Sequence, residues 1–132
     1  MKKKVCLFIL EDSIFLQEML VYVFEKAGIE VVGVASSGKI ALSAIKQLKP
    51  DIVWVDIVLP GVNGFAVINK IKSFLKDIKV IASSSLKNEH IFLQSEIAGA
   101  VDFIQKPFKS EDIVNAVFSA MKNTKKEHEV AA

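Results

Sequence analysis

The sequence predicts an α/β fold: a doubly wound parallel sheet of five strands with helices on both faces. Three observations carry that reading. Five apolar runs alternate with five amphipathic stretches of helical length, the pattern of repeated βα units. The runs are continuous rather than alternating, as in strands buried on both faces. Finally, the chain is 52% hydrophobic with a mean hydropathy of +0.39. No apolar stretch reaches the ~18 residues of a membrane span, so the doubly covered sheet accounts for the excess.

The elements follow in order. Lys4–Leu10 reads as the first strand and Ser13–Lys26 as the first helix, with Phe15, Met19, Tyr22, Val23 and Lys26 at helical spacing and Gly28 behind as a C-cap. Glu30–Ala35 is the second strand. Gly38–Leu48 is the second helix, with Ala41, Leu42, Ile45 and Leu48 on one stripe. Pro50 separates that helix from the third strand, Asp51–Asp56, and Asn63 is placed to N-cap a third helix through Phe74. Lys79–Ser84 is the fourth strand, Asn88–Ala98 the fourth helix with Gly99 after it, and Val101–Gln105 the fifth strand. Ser110 opens the last helix, where Ser-Glu-Asp suits both capping and the helix dipole.

At 132 residues the chain is read as one domain, residues 1–123, followed by a flexible tail, residues 124–132. A net charge of +2, with lysines gathered towards the termini, gives no case for nucleic acid. The single cysteine, Cys6, lies in an apolar run and reads as a space-filler. With no signal segment and no span, the expected location is the cytoplasm and no membrane is involved.

In a doubly wound sheet, ligands sit beyond the carboxyl ends of the strands. There the first strand ends in Glu11-Asp12, the third in Asp56, the fourth in Ser83-Ser84-Ser85 and the fifth in Gln105-Lys106-Pro107-Phe108. Each has an ordinary explanation: a turn residue, a helix-dipole partner, a loop serine, a solvated lysine. Their combination at four different strand ends is harder to dismiss. Three carboxylates brought together repel one another unless a cation joins them, and a hard ion such as Mg²⁺ prefers such oxygen ligands.

In these motifs the chain resembles the receiver domain of bacterial two-component response regulators, of the stand-alone, chemotaxis-regulator-like type. The resemblance spans about residues 4 to 122. It rests on E-D-S after the first strand, V-D-I-V-L-P-G-V-N-G around the third, I-A-S-S-S at the fourth and Q-K-P-F after the fifth. The separations also agree: 44 residues from Asp12 to Asp56, 28 to Ser84 and 22 more to Lys106. It implies the flavodoxin-like (βα)5 receiver fold, with Asp56 as the phosphorylated residue. Glu11, Asp12, Asp56 and the backbone carbonyl of Val58 would hold Mg²⁺. Ser84 would be the switch hydroxyl, Phe103 the switch aromatic, and Lys106 the site lysine, with a cis bond to Pro107. No output domain follows, so a stand-alone switch is expected.

The implied activity is acceptance of a phosphoryl group from a phosphohistidine of a sensor kinase or phosphotransfer protein. Such a protein assists its own phosphotransfer and dephosphorylation but is not an enzyme in the usual sense. Neither His90 nor His128 is placed as an internal donor. Output is expected by protein–protein contact through the face of helix four, strand five and helix five. There Phe92 falls off the stripe of Leu93 and Ile97 and is a possible partner anchor, while Leu93 and Ile97 are expected in the core. Phe103 carries no hydroxyl, so its ring is expected inward much of the time. Val58 and Leu86, both apolar, would flank the path of hydrolytic water, so a long-lived phosphoryl group is expected. The final Ala131-Ala132 is open to reading as a degradation signal.

Three competitors remain in view. A flavin-binding fold of this type needs a phosphate cradle where Glu11-Asp12 stands, and an aspartyl-phosphate phosphatase needs an acid where Val58 stands. The more serious alternative is a receiver fold used as an interaction module, independent of phosphorylation.

Overall fold

A computed structural model of the protein describes residues 3–86 and 88–131, with side chains through Lys122. Five parallel strands form the central sheet: β1 (Cys6–Leu10), β2 (Glu30–Ala35), β3 (Ile52–Asp56), β4 (Lys79–Ser84) and β5 (Asp102–Gln105). They lie in the order β2-β1-β3-β4-β5. The helices are α1 (Ile14–Lys26), α2 (Gly38–Leu48), α3 (Gly64–Phe74), α4 (Glu89–Ala98) and α5 (Ser110–Ala131). The doubly wound fold is therefore as expected, with strand bounds within two residues of the sequence reading. The expected domain boundary at residue 123 falls inside α5. The side chains of the proposed tail, and Ala132 itself, lie outside the described residues.

Alternate residues of each strand feed two cores. Phe8, Leu10, Val53, Val55, Val80 and Ala82 face a cluster completed by Ala41 and Ile45 of α2 and Val67, Ile68 and Ile71 of α3. Leu7, Ile9, Ile52, Trp54 and Ile81 face the other, with Leu20 and Phe24 of α1 and Ile113, Val117 and Ala120 of α5. Every residue of β3, Asp56 included, is buried. At roughly 1.5–3 kcal/mol for each large apolar side chain buried, this central strand anchors the sheet, and it delivers Asp56 to its carboxyl end.

The caps are local. Ser13, Ser37, Asn63 and Asn88 each accept a hydrogen bond from the first turn of the helix they precede. Gly28 and Gly99 take left-handed backbone at helix ends, as their positions predicted. Between β3 and α3 lies a small antiparallel ladder, Val58 pairing with Asn63 and Leu59 with Val62.

Two helix stripes differ from expectation. In α1 the sheet takes Leu20 and Phe24, leaving Phe15 77% and Tyr22 64% exposed. In α4 it takes Ser95 and Ala98, with Ile91 half-buried, while Leu93 (51%) and Ile97 (69%) point outward beside Phe92 (52%). The cause is the same in both. These helices are apolar on more than one side, so periodicity offers two stripes, and packing against the sheet decides which of them is buried. In α4, the small Ser95 and Ala98 let the helix approach closely, and Ser95 returns its hydroxyl to the Ile91 carbonyl at 2.8 Å.

Candidate functional site

The strand ends converge because parallel strands all finish on one edge. Glu11, directly after β1, is fastened by its backbone N–H to the Ala35 carbonyl at 3.0 Å. Its carboxylate turns inward, only 1% exposed, and Oε2 accepts from the Ser13 N–H at 3.2 Å. Asp12 faces solvent. Asp56 is 3% exposed, and its Oδ1 accepts from the Val58 N–H at 3.1 Å.

Lys106 joins these acids. Its backbone N–H donates to the Ser84 carbonyl at 2.9 Å, fixing it to the end of β4, and the Lys106–Pro107 bond is cis as expected. Its Nζ lies 3.2 Å from Asp56 Oδ2 and 3.0 Å from Glu11 Oε1. The first contact is also a hydrogen bond. The second is an ion pair at hydrogen-bonding distance on the buried Oε1 of Glu11.

Burial raises the Asp56 carboxyl from its ordinary value near 3.8 to about 7, repulsion from Glu11 adds to this, and Lys106 opposes it. For Lys106, burial works against the ammonium, but the bond to Glu11 and the charges of both acids outweigh it and its affinity for the proton rises. The site therefore holds one cation against two buried acids, with a third, Asp12, at its mouth.

Glu11, Asp12 and Asp56 each offer a carboxylate oxygen, all within 4.8 Å of one another. Opposed ligands of an octahedral Mg²⁺ stand ~4.2 Å apart, given bonds of ~2.1 Å. The set therefore fits a small divalent ion after slight closure.

Ser84 and Phe103 occupy the other face of the sheet edge. Phe103 is in register with Ala82, two residues before Ser84 on the neighbouring strand. Ser84 is fully buried, and its Oγ accepts from the Leu86 N–H at 2.9 Å. The Phe103 ring is half-buried, neither wholly inward nor largely exposed, and meets Phe92 edge-on at 6.0 Å between centroids. It lines two cavities, of about 60 and 310 Å³, which leave room beside the ring. Val58 (51%) and Leu86 (47%) are both exposed.

Two further neighbours complete the site: Ser83, named only as part of the serine run, and Gln17, which had no sequence signal. Ser83, in register with Asp56, is fully buried with an unpartnered hydroxyl. Gln17, in α1, donates to the Glu11 carbonyl and to Ser36 Oγ. A contact made across two turns leaves no trace in local spacing.

Comparison with known proteins is consistent throughout. The profile of the response regulator receiver domain matches residues 7–118. The chemotaxis protein CheY of Thermotoga maritima is 38% identical over 109 residues, covering 83% of this chain and 91% of that protein. CheY of Bacillus subtilis is 31% identical over 111 residues, covering 84% and 92%. Among solved structures, the signal receiver domain of the putative response regulator NarL from Mycobacterium tuberculosis superposes with a TM-score of 0.86 at 29% identity. It covers 92% of this chain and 98% of its own.

Proposed function

Since the chain belongs to the response regulator receiver domain family, we propose that it is a Mg²⁺-dependent switch that accepts a phosphoryl group on Asp56 and signals by protein contact. The observation that carries this reading is the Lys106 ammonium held between two buried carboxylates, Glu11 and Asp56, at a strand end. Receivers of this kind are switches rather than enzymes in the usual sense.

Asp56 is the nucleophile. A P–N bond on a partner's phosphohistidine breaks as an O–P bond to Asp56 forms. The Val58 N–H holds Oδ1, so the carboxylate meets the donor in a fixed orientation. Lys106 is aimed at the same carboxylate by its backbone bond to Ser84, and places positive charge beside the entering oxygens. Mg²⁺, held by Glu11, Asp12, Asp56 and the Val58 carbonyl, would offset the remaining negative charge.

Ser84 then reads the result. Its hydroxyl donates to no described acceptor and is free to turn towards a phosphoryl oxygen, releasing the Leu86 N–H as it does so. Phe103, on the same face and bordered by open space, follows inward. Its contact with Phe92 carries the change to α4. The partners are a sensor histidine kinase or phosphotransfer protein on the input side. On the output side, a target docks on the α4–β5–α5 face. Exposed Val58 and Leu86 give hydrolytic water no polar guide, which favours a long-lived phosphoryl group. A cytoplasmic site of action fits the described helices, none of which is long and apolar enough to cross a membrane.

The exposed trio Phe92, Leu93 and Ile97 also favours a second reading, an interaction module that needs no phosphorylation. One experiment separates the two. Trp54 is buried, edge-on to Phe24 at 5.9 Å and to Phe108 at 5.4 Å, so it reports on the strand end and on the Lys106-Pro107-Phe108 turn. Its fluorescence is followed through titration with MgCl₂ and then beryllium fluoride, with Asp56 labelling checked by mass spectrometry. A response lost in Asp56→Asn and Lys106→Ala supports the switch. Absence of response and label in the unmodified protein leaves the module.

A further inference from the structure

The acidic turn contains one carboxylate that nothing holds. Among the described residues, no hydrogen bond or ion pair reaches the Asp12 side chain, whereas Glu11 is tied by Ser13 and Lys106 and Asp56 by Val58 and Lys106. Its backbone therefore sets the point from which the Asp12 carboxylate reaches, and its own χ rotations set the rest. The peptide linking Glu11 to Asp12 is planar, so fixing the Glu11 carbonyl fixes the plane from which Asp12 leaves.

That carbonyl is the one Gln17 binds. The side-chain Nε2 of Gln17 donates both to the Glu11 carbonyl and, at 2.9 Å, to Ser36 Oγ in the turn between β2 and α2. Its orientation is not ambiguous, because a backbone carbonyl accepts only, so the amide nitrogen must face it. Gln17 is itself seated by its backbone N–H on the Ser13 carbonyl at 2.9 Å. The peptide preceding Glu11 is clamped to β2 through Ala35, and the one following it is clamped to the β2–α2 turn through Gln17 and Ser36.

We propose that Gln17 is a positioning residue of the acidic site: by holding the Glu11–Asp12 peptide against the β2–α2 turn, it pre-sets Asp12 relative to Glu11 and Asp56 for a divalent cation. The inference rests on the reading of these three acids as a Mg²⁺ site. Removing the amide leaves all carboxylates present but lets the Asp12 plane rotate, so affinity falls while the fold stands.

The test is calorimetric titration of MgCl₂ into the unmodified protein, Gln17→Met and Ser36→Ala, with Gln47→Met on the exposed side of α2 as a matched control. Methionine keeps the length and packing of Gln17 without its donors. Gln17→Met is expected to weaken Mg²⁺ binding about tenfold, the low end for residues that orient metal ligands. Ser36→Ala, which loses one anchor of two, should weaken it about threefold, less than that range. Gln47→Met should change nothing, and thermal midpoints should stay together, so the readout is affinity rather than folding. Gln17→Met binding Mg²⁺ as the unmodified protein does overturns the proposal. Should that variant fail to fold, unaltered binding by Ser36→Ala overturns it equally. An unmodified protein that takes up no Mg²⁺ overturns the metal reading itself, a different result from equal binding by all variants.

Discussion

Replacing Asp56 with asparagine should make the metal-free protein more stable at alkaline pH, and the size of the gain can be worked from the site. Burial, with Glu11 nearby, raises the Asp56 carboxyl to about 7. Ionised, it is therefore disfavoured in the folded chain by about 4 kcal/mol, at ~1.36 kcal/mol per factor of ten in proton affinity. Lys106 is already counted in that figure, and water at the mouth of the site screens part of the rest, so roughly 2 kcal/mol is the realistic gain. Asn keeps an oxygen for the Val58 N–H, so the strand end has no reason to rearrange. The sign follows from proton linkage. The folded protein holds this proton up to about pH 7 while the unfolded chain releases it near pH 3.8. Across that window the folded state binds more protons, and the stability of the unmodified protein falls as pH rises. The assay is urea unfolding in a chelator, followed by Trp54 fluorescence. Asp56→Asn should be more stable by about 2 kcal/mol near pH 8 and by less than ~1 near pH 5, where little more than a third of the window has been crossed. Saturating Mg²⁺ should shrink the difference by binding the unmodified site more tightly. No gain near pH 8, or the same gain at both, would refute the account of Asp56 as a carboxylate kept ionised against its surroundings.

A Cβ on Gly64 would lie 2.4 Å from the Ile57 Cα and carbonyl oxygen, so Gly64→Ala should cost about 2–3 kcal/mol in denaturant unfolding. Because Ile57 directly follows Asp56, labelling of Asp56 should slow as well, and a variant of unchanged stability would show that the α3 approach is not tight. Leu86→Asn places a polar group at the mouth beside Ser84 and should speed loss of the phosphoryl label about tenfold, below the usual range for positioned proton-transfer groups. An unchanged decay would mean that the apolar rim does not set lifetime. Phe92→Ala removes the edge-on partner of Phe103 and should lower stability by about 1 kcal/mol. If Phe92 is also an anchor, association driven by beryllium fluoride should weaken in sedimentation velocity, and unaltered association would discard that role.

The legibility of the sequence followed the range of the interactions. Asp56 was readable because a carboxylate ending a fully apolar strand has few explanations, and the Glu11-Asp12 pair, Ser84 and Lys106 because they stand at the ends of three further strands of a predictable sheet. The cap at Asn63 was readable for the same local reason. The outward turn of Leu93 and Ile97 was not, since α4 carries apolar residues on opposite sides and only the close fit of Ser95 and Ala98 decides which is buried. Gln17 was invisible because its partners are 6 and 19 residues away and meet only once two turns are folded. The half-buried state of Phe103 depends on Phe92, a neighbour that strand periodicity does not name.

That intermediate position of Phe103 bears on how much work phosphorylation must do. Carrying a two-state element from about 1:99 to 99:1 takes ~5.5 kcal/mol of differential binding. The new interaction available at Ser84 is one hydroxyl bonded to a charged phosphoryl oxygen, worth about 1.5–3 kcal/mol, against which the Leu86 N–H bond must be given up. A gain near the top of that range, ~3 kcal/mol, changes the equilibrium by a factor of about 150 at most. For the switch to end mostly inward, the inward state must already be populated to about 1% or more before phosphorylation. A ring without a hydroxyl to strand, bordered by open space, is built for that. Relaxation-dispersion NMR on the Phe103 and Leu86 amides of the unphosphorylated protein should therefore detect exchange with a minor state above about 1%. If exchange is absent while beryllium fluoride still turns the ring fully inward, the Ser84 bond is not the main driver, and the missing free energy must come from Lys106 exchanging Glu11 and Asp56 for the phosphoryl group.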